Sequence, residues 1–130
     1  MKSLFLLVAL LLAVTLGGTV SMAGKSQEMK KQRAVMTFAT PVKLQGVMLK
    51  GEYLFVHDDA AMMRGEACTF VYKGSSENAS KLVAKFHCTP AERNRVASFT
   101  IRTALQPDGV TALTEFQFGG ETETHQVPAN

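Results

Sequence analysis

Short stretches of alternating apolar and polar residues, each closed by a turn signal, fill most of the chain after residue 32, and this spacing is what most limits its fold. A strand points successive side chains to opposite faces, so period-two alternation over a few residues marks a half-buried strand. Residues 33–38 (RAVMTF) place Ala34, Met36 and Phe38 on one side, and Thr40-Pro41 breaks the run. Residues 42–49 (VKLQGVML) continue in extended form around Gly46, and Lys50-Gly51 reads as a turn into 52–57 (EYLFVH). There Tyr53, Phe55 and His57 oppose Leu54 and Val56. A helical turn fits 58–64 (DDAAMMR), ended by Gly65, and strands are expected over 67–73, 82–88 and 96–105. Pro107-Asp108-Gly109 turns the chain into 112–118, and Gly119-Gly120 into a last edge strand over 122–127. Seven or eight short strands with no helical period and no repeat predict an all-β domain over 33–130. The expected architecture is an antiparallel two-sheet sandwich, with a small β-barrel as the alternative. A chain of this length is short for a barrel of eight long strands.

The segment before this domain reads as a secretory signal peptide, residues 1–23. Lys2 gives a positive start, 4–14 (LFLLVALLLAV) is unbroken and apolar, and Ser21-Met22-Ala23 offers small side chains at the positions a signal peptidase reads. The apolar run is well short of the roughly 20 residues that span a bilayer as a helix. The basic stretch 25–33 (KSQEMKKQR) leaves retention as an anchor open as the second reading. Cleavage after Ala23 would leave a polar, flexible lead-in over 24–32. The expected location is therefore periplasmic or extracellular, with no stable membrane insertion of the mature domain.

Export changes how the two cysteines are read, because disulfides persist outside the reducing cytoplasm. Cys68 and Cys88 are expected to form one disulfide across a hairpin whose loop, 73–81 (KGSSENASK), is rich in Gly, Ser and Asn. In that register Phe70 falls opposite Phe86 and Tyr72 opposite Ala84, on the face of the bridge. Closing a loop of about 20 residues would add on the order of 3 kcal/mol. Two reduced core thiols, or thiols on a metal, are the alternatives.

Residues 37–56 (TFATPVKLQGVMLKGEYLFV) are similar to the opening of small exported bacterial β-domains of uncharacterised function. In these an extended F…PV.L.G..L segment leads into an L.AGtY.F strand entry. Here Leu49-Lys50-Gly51-Glu52-Tyr53 takes the second place, with Lys50 where a small residue is commoner. The resemblance implies an exported β-domain and no catalytic or binding residues.

Several chemistries can be weighed from residue types alone. The formal net charge of +3 is too small to argue for nucleic acid. The charge is uneven, with four acids (Asp108, Glu115, Glu121, Glu123) and no bases after residue 102. A Gly-rich phosphate loop, a paired-carboxylate motif and a Gly-x-Ser-x-Gly elbow are all missing, so the domain is expected to be non-enzymatic and to need no cofactor. His87 and Cys88 fall on opposite faces of a strand, which stops one from activating the other. Asp58-Asp59 reads as a polar turn, Asn78-Ala79-Ser80 as a chance glycosylation pattern, and Arg93 and Arg95 as solvated. The sharper candidate is a copper-type metal site: His57, His87, His125, Cys68, Cys88 and the pair Met62-Met63 are all ligand types, imidazole and soft sulfur suit that ion, and His57, Met62 and Met63 are the set expected to hold it. These residues show no recognised ligand spacing, and the histidines read more simply as rim residues. The leading expectation is a structural or binding β-domain at the cell envelope, with metal binding as the alternative.

Overall fold

Two long strands dominate residues 29–129, which are the part of the chain described by the computed structural model. Strand β1 (Lys31–Leu44) and strand β2 (Val47–Asp58) form an antiparallel hairpin. They are followed by helix α1 (Asp59–Met63) and strands β3 (Thr69–Lys73), β4 (Leu82–Phe86), β5 (Thr89–Glu92), β6 (Thr100–Leu105), β7 (Thr111–Gln117) and β8 (Glu123–Gln126). The expected signal segment, 1–23, lies outside the described residues. Strand β1 begins at Lys31, inside the expected lead-in. Among the described residues no helix is long and apolar enough to cross a membrane.

The hairpin tip differs from the sequence expectation. The chain reverses at Gln45-Gly46, with φ of 49° and 80°, rather than at Lys50-Gly51. Two positive φ values in a two-residue turn match the twist of the flanking strands. Gln45 is the one non-glycine with positive φ among the described residues, and its side-chain amide donates to the Pro128 carbonyl at 2.7 Å. That bond ties the tip to the end of the fold. Gly51 instead lies inside β2 opposite Phe38, at φ +91°. It flanks a bulge between Phe38 and Val42, where Pro41 cannot donate to the ladder.

All eight strands join one hydrogen-bonded sheet, in the order β4-β3-β2-β1-β7-β8-β5, with β6 pairing to β7 off that path. The all-β class holds, but the hydrogen bonding does not divide into two antiparallel sheets. The single sheet is mixed, because β1 meets β7 in parallel at Lys43 and Ala112. Strands β4 and β5 end the path, yet only His87 and Cys88 separate them in sequence. Two residues reach only about 7 Å, so the sheet must curl until its ends meet at Cys88.

Strand β5 lies between the stretches 82–88 and 96–105, where the sequence pattern predicts no strand. Its Pro90 is tolerated because the strand pairs on one side only, with β8. The β3–β4 register also departs from expectation: Thr69 pairs with Phe86 and Val71 with Ala84. Thr69 and Val71, not Phe70 and Tyr72, therefore turn inward. Cys68 precedes β3, so the alternation does not carry across it, and a one-residue slip exchanges the faces.

The interior of the curl is aromatic. Phe55 lies 5.2 Å from Phe99 and 5.7 Å from Phe116 between ring centroids, in tilted arrangements that aromatic pairs favour. Leu44, Leu49, Val71 and Phe86 complete this core.

Candidate metal centre

Burial is continuous over the last residues of β2, from Tyr53 to His57. Alternation carries His57 inward beside Tyr53 and Phe55, and its side chain is fully buried. From the opposite end of the sheet path, β8 delivers His125, buried and stacked on Phe116 at 5.1 Å. Backbone pairing of His125 to Phe116 on one side and Pro90 on the other fixes its position. Cys88 arrives from the two-residue link that closes the curl. Cys68 is held by its own backbone, donating to the Phe86 carbonyl and accepting from the Asp58 amide.

These four side chains meet at one buried point. The Cys88 sulfur lies 3.3 Å from His57 Nε2 and 3.5 Å from His125 Nδ1. The donor atoms of His57, Cys88 and His125 all lie within 4.8 Å of one another. The two imidazole rings are 4.0 Å apart between centroids. The Cys68 and Cys88 sulfurs are 3.1 Å apart, beyond the about 2.05 Å of a disulfide, so both are thiols in this structure. The Cys88 amide donates to the Cys68 sulfur at 3.3 Å.

A carboxylate stands behind His57, and another lies near the cluster-facing nitrogen of His125. His57 Nδ1 is 3.1 Å from Asp59 Oδ1, although the direction is not that of a hydrogen bond and the buried nitrogen has no other partner. Glu123 Oε1 is 3.8 Å from His125 Nδ1. Burial holds His125 neutral, down at about 3, and the nearby His57 adds to the effect. The hydrogen bond from Cys88 holds the Cys68 thiol well below its ordinary value, while the same bond and then burial push the Cys88 thiol up.

A cleft of about 260 Å³ opens beside His125, lined by Met29, Met62, Met63, Asp59 and Glu123 among others. Helix α1 forms one wall. The Asp58 carboxylate caps it, accepting from the Ala60 and Ala61 amides at 3.0 and 3.3 Å. The structure places the expected residues His57, Met62 and Met63 in one neighbourhood but not at one point. His57 is in the cluster, whereas Met62 and Met63 sit on the cleft wall and Met63 is 65% exposed. The rim placement expected for the histidines fails for His57 and His125, which are core residues, and holds for His87. That residue is exposed, with Nδ1 2.8 Å from the Glu66 carbonyl.

The other residues weighed from sequence take structural roles. Asp58 caps α1, and Asn78 caps a 3-10 turn (Ala79–Lys81) by accepting from the Ser80 amide. Arg93 pairs with Glu115 at 3.3 Å, and Arg95 donates to the Gly120 carbonyl.

Two imidazoles and a cysteine sulfur around one point are a donor set of soft or borderline transition metals. The sulfur-to-nitrogen distances of 3.3 and 3.5 Å suit a single ion between them, because bonds of about 2.3 Å to sulfur and 2.0 Å to nitrogen at a tetrahedral angle span a similar distance. Comparison with protein-family models, curated proteins and solved structures gives no match to this chain.

Proposed function

We propose that this chain is an exported, non-enzymatic β-domain that binds a single copper(I) ion through His57, Cys88 and His125. The convergence of these three buried donors within 4.8 Å carries the reading. Burying two imidazoles and two thiols with few hydrogen-bond partners is costly for the fold. A metal ion repays that cost by satisfying the donors together. Copper(I) is favoured over harder ions by the sulfur and imidazole set, and Met29, Met62 and Met63 give the approach cleft the same soft character. Asp59, 3.1 Å from His57 Nδ1, supports the ring from behind in the manner of a carboxylate outside a metal's own ligands. In this reading the curled sheet is a small barrel-like scaffold rather than two facing layers, and its closure at Cys88 assembles the site.

Export rests on the signal-like segment 1–23 and on the resemblance over 37–56. A mature mass beginning at Gly24 is expected, and a mass that includes Met1 would contradict cleavage.

Competition between copper(I) and zinc(II) for the fully reduced protein tests the binding role. One equivalent of copper(I) is expected, retained in Met63→Ala and lost in Cys88→Ser and His125→Gln. Stoichiometric zinc(II) held in preference to copper(I) would reassign the ion. No stoichiometric binding of either ion would overturn the proposal.

A further inference from the structure

The two sulfurs are closer to each other than Cys88 is to either histidine, and both side chains are fully buried. Cys88 belongs to the short link between β4 and β5 rather than to a paired strand, so its sulfur can move the further ångström or so that bonding requires. The same sulfur is a member of the three-donor cluster. It cannot serve both purposes, because a metal binds the thiolate and a disulfide has none.

We infer that Cys68 and Cys88 are a reversible dithiol–disulfide pair whose oxidation by a small peroxide removes Cys88 from the metal site, so that the domain holds its ion only when reduced. This inference rests on the metal-binding reading and adds its regulation. The Cys88 amide already donates to the Cys68 sulfur, which marks Cys68 as the sulfur that attacks. Cys68 gives its proton to solvent and its sulfur attacks one peroxide oxygen; the S–O bond forms, the O–O bond breaks, and the departing hydroxide takes the Cys88 proton and leaves as water. The Cys88 thiolate then attacks the Cys68 sulfur; the S–S bond forms, the S–O bond breaks, and the second hydroxide takes a proton from solvent. Two thiols and one hydrogen peroxide thus give one disulfide and two waters, with two electrons passing from sulfur to oxygen. Peroxide is little larger than water, and the cleft reaches His125, whose Nδ1 is 3.5 Å from the Cys88 sulfur.

With the disulfide closed, His57 and His125 remain without a thiolate between them. Loss of a direct ligand should exceed the about 10- to 100-fold that outer partners contribute to metal affinity. Bound metal should in turn protect the pair, since it occupies the Cys88 sulfur.

The test uses the mature protein, metal-free and reduced, before and after hydrogen peroxide, with anaerobic copper(I) titration against a competing chelator. Peroxide is expected to lower the mass by two hydrogens, remove both reactive thiols under denaturing conditions and weaken copper(I) binding by at least about 100-fold. A thiol reductant should restore binding, and copper(I)-loaded protein should oxidise more slowly. In Cys68→Ser, peroxide should give no two-hydrogen loss; should that variant not fold, the arms on the parent protein decide alone. Equal copper(I) affinity before and after disulfide formation overturns the gating and leaves the metal site standing. Separate oxygen additions to each cysteine, with no two-hydrogen loss, overturn the dithiol pair. A reduced protein that binds no copper(I) overturns the metal reading and the gating together.

Discussion

His57 and His125 lie with their rings 4.0 Å apart between centroids and 35° from parallel, both buried, one at the end of β2 and the other in β8. Two imidazolium ions could not share that space, since each would repel the other in a medium that screens poorly. The arrangement excludes two charged rings, and burial keeps His125 neutral, the form that can ligate a metal. The Cys88 sulfur lies within 3.5 Å of a nitrogen of each ring. Fold closure and donor assembly are thus one event: the link that joins the ends of the curled sheet carries the sulfur into the gap between the two histidines.

Acid should destabilise the metal-free protein through His125. Burial lowers this histidine to about 3 from an ordinary value of 6.5, so the folded state binds fewer protons than the unfolded one between those values. Its contribution to stability is complete above 6.5 and declines as the pH falls toward 3, by at most about 1.4 kcal/mol per pH unit. Urea unfolding of the reduced protein over this range should show the decline, and His125→Gln should flatten it. Equal pH dependence in parent and variant would contradict the assignment.

Asp58→Ala should cost about 1 kcal/mol by removing the carboxylate that accepts from the Ala60 and Ala61 amides. Asp58→Ser should recover most of that loss. The cap also positions the wall carrying Asp59 and Met62, so copper(I) should bind and dissociate faster in Asp58→Ala while the stoichiometry is kept. Denaturant unfolding and stopped-flow metal transfer measure the two effects.

Gln117→Leu should be costly despite similar size. The Gln117 amide donates to the Asn94 and Glu121 carbonyls at 2.9 and 2.7 Å and accepts from Arg102 at 3.0 Å. Leaving these partners unpaired near a buried position should cost about 2–3 kcal/mol. Copper(I) stoichiometry should be unchanged under conditions where the variant is folded, because Gln117 is not among the donors. An unfolding midpoint equal to that of the parent would show that water replaces the bonds freely.

The strand pattern is largely legible in the sequence, and the alternation of β2 extends to His57. Tyr53, Phe55 and His57 share one face by period two, and two aromatic residues on a face imply that the third member is buried with them. Reading the histidine as a rim residue set side-chain polarity above position. His125 was less legible, because four residues of β8 give too little alternation to choose a face. The meeting of His57, Cys88 and His125 could not be read from spacing at all. It depends on β4 and β5 lying at opposite ends of the sheet path, and no local pattern specifies strand order. The β3–β4 register failed for a related reason. The expected register counts both cysteines as strand residues, whereas both lie just outside their strands, where alternation no longer applies. The hairpin tip was missed because Gln45 is an unusual residue at positive φ, and its bond to the Pro128 carbonyl is a long-range contact.

X-ray absorption at the copper edge, on reduced protein loaded with one equivalent of copper(I), tests the central claim most directly. Two imidazole nitrogens and one sulfur around the ion are expected, with the sulfur signal lost in Cys88→Ser and one imidazole lost in His125→Gln. A coordination shell unchanged by both substitutions, or one built from thioether sulfur without imidazole, would contradict a site at His57, Cys88 and His125.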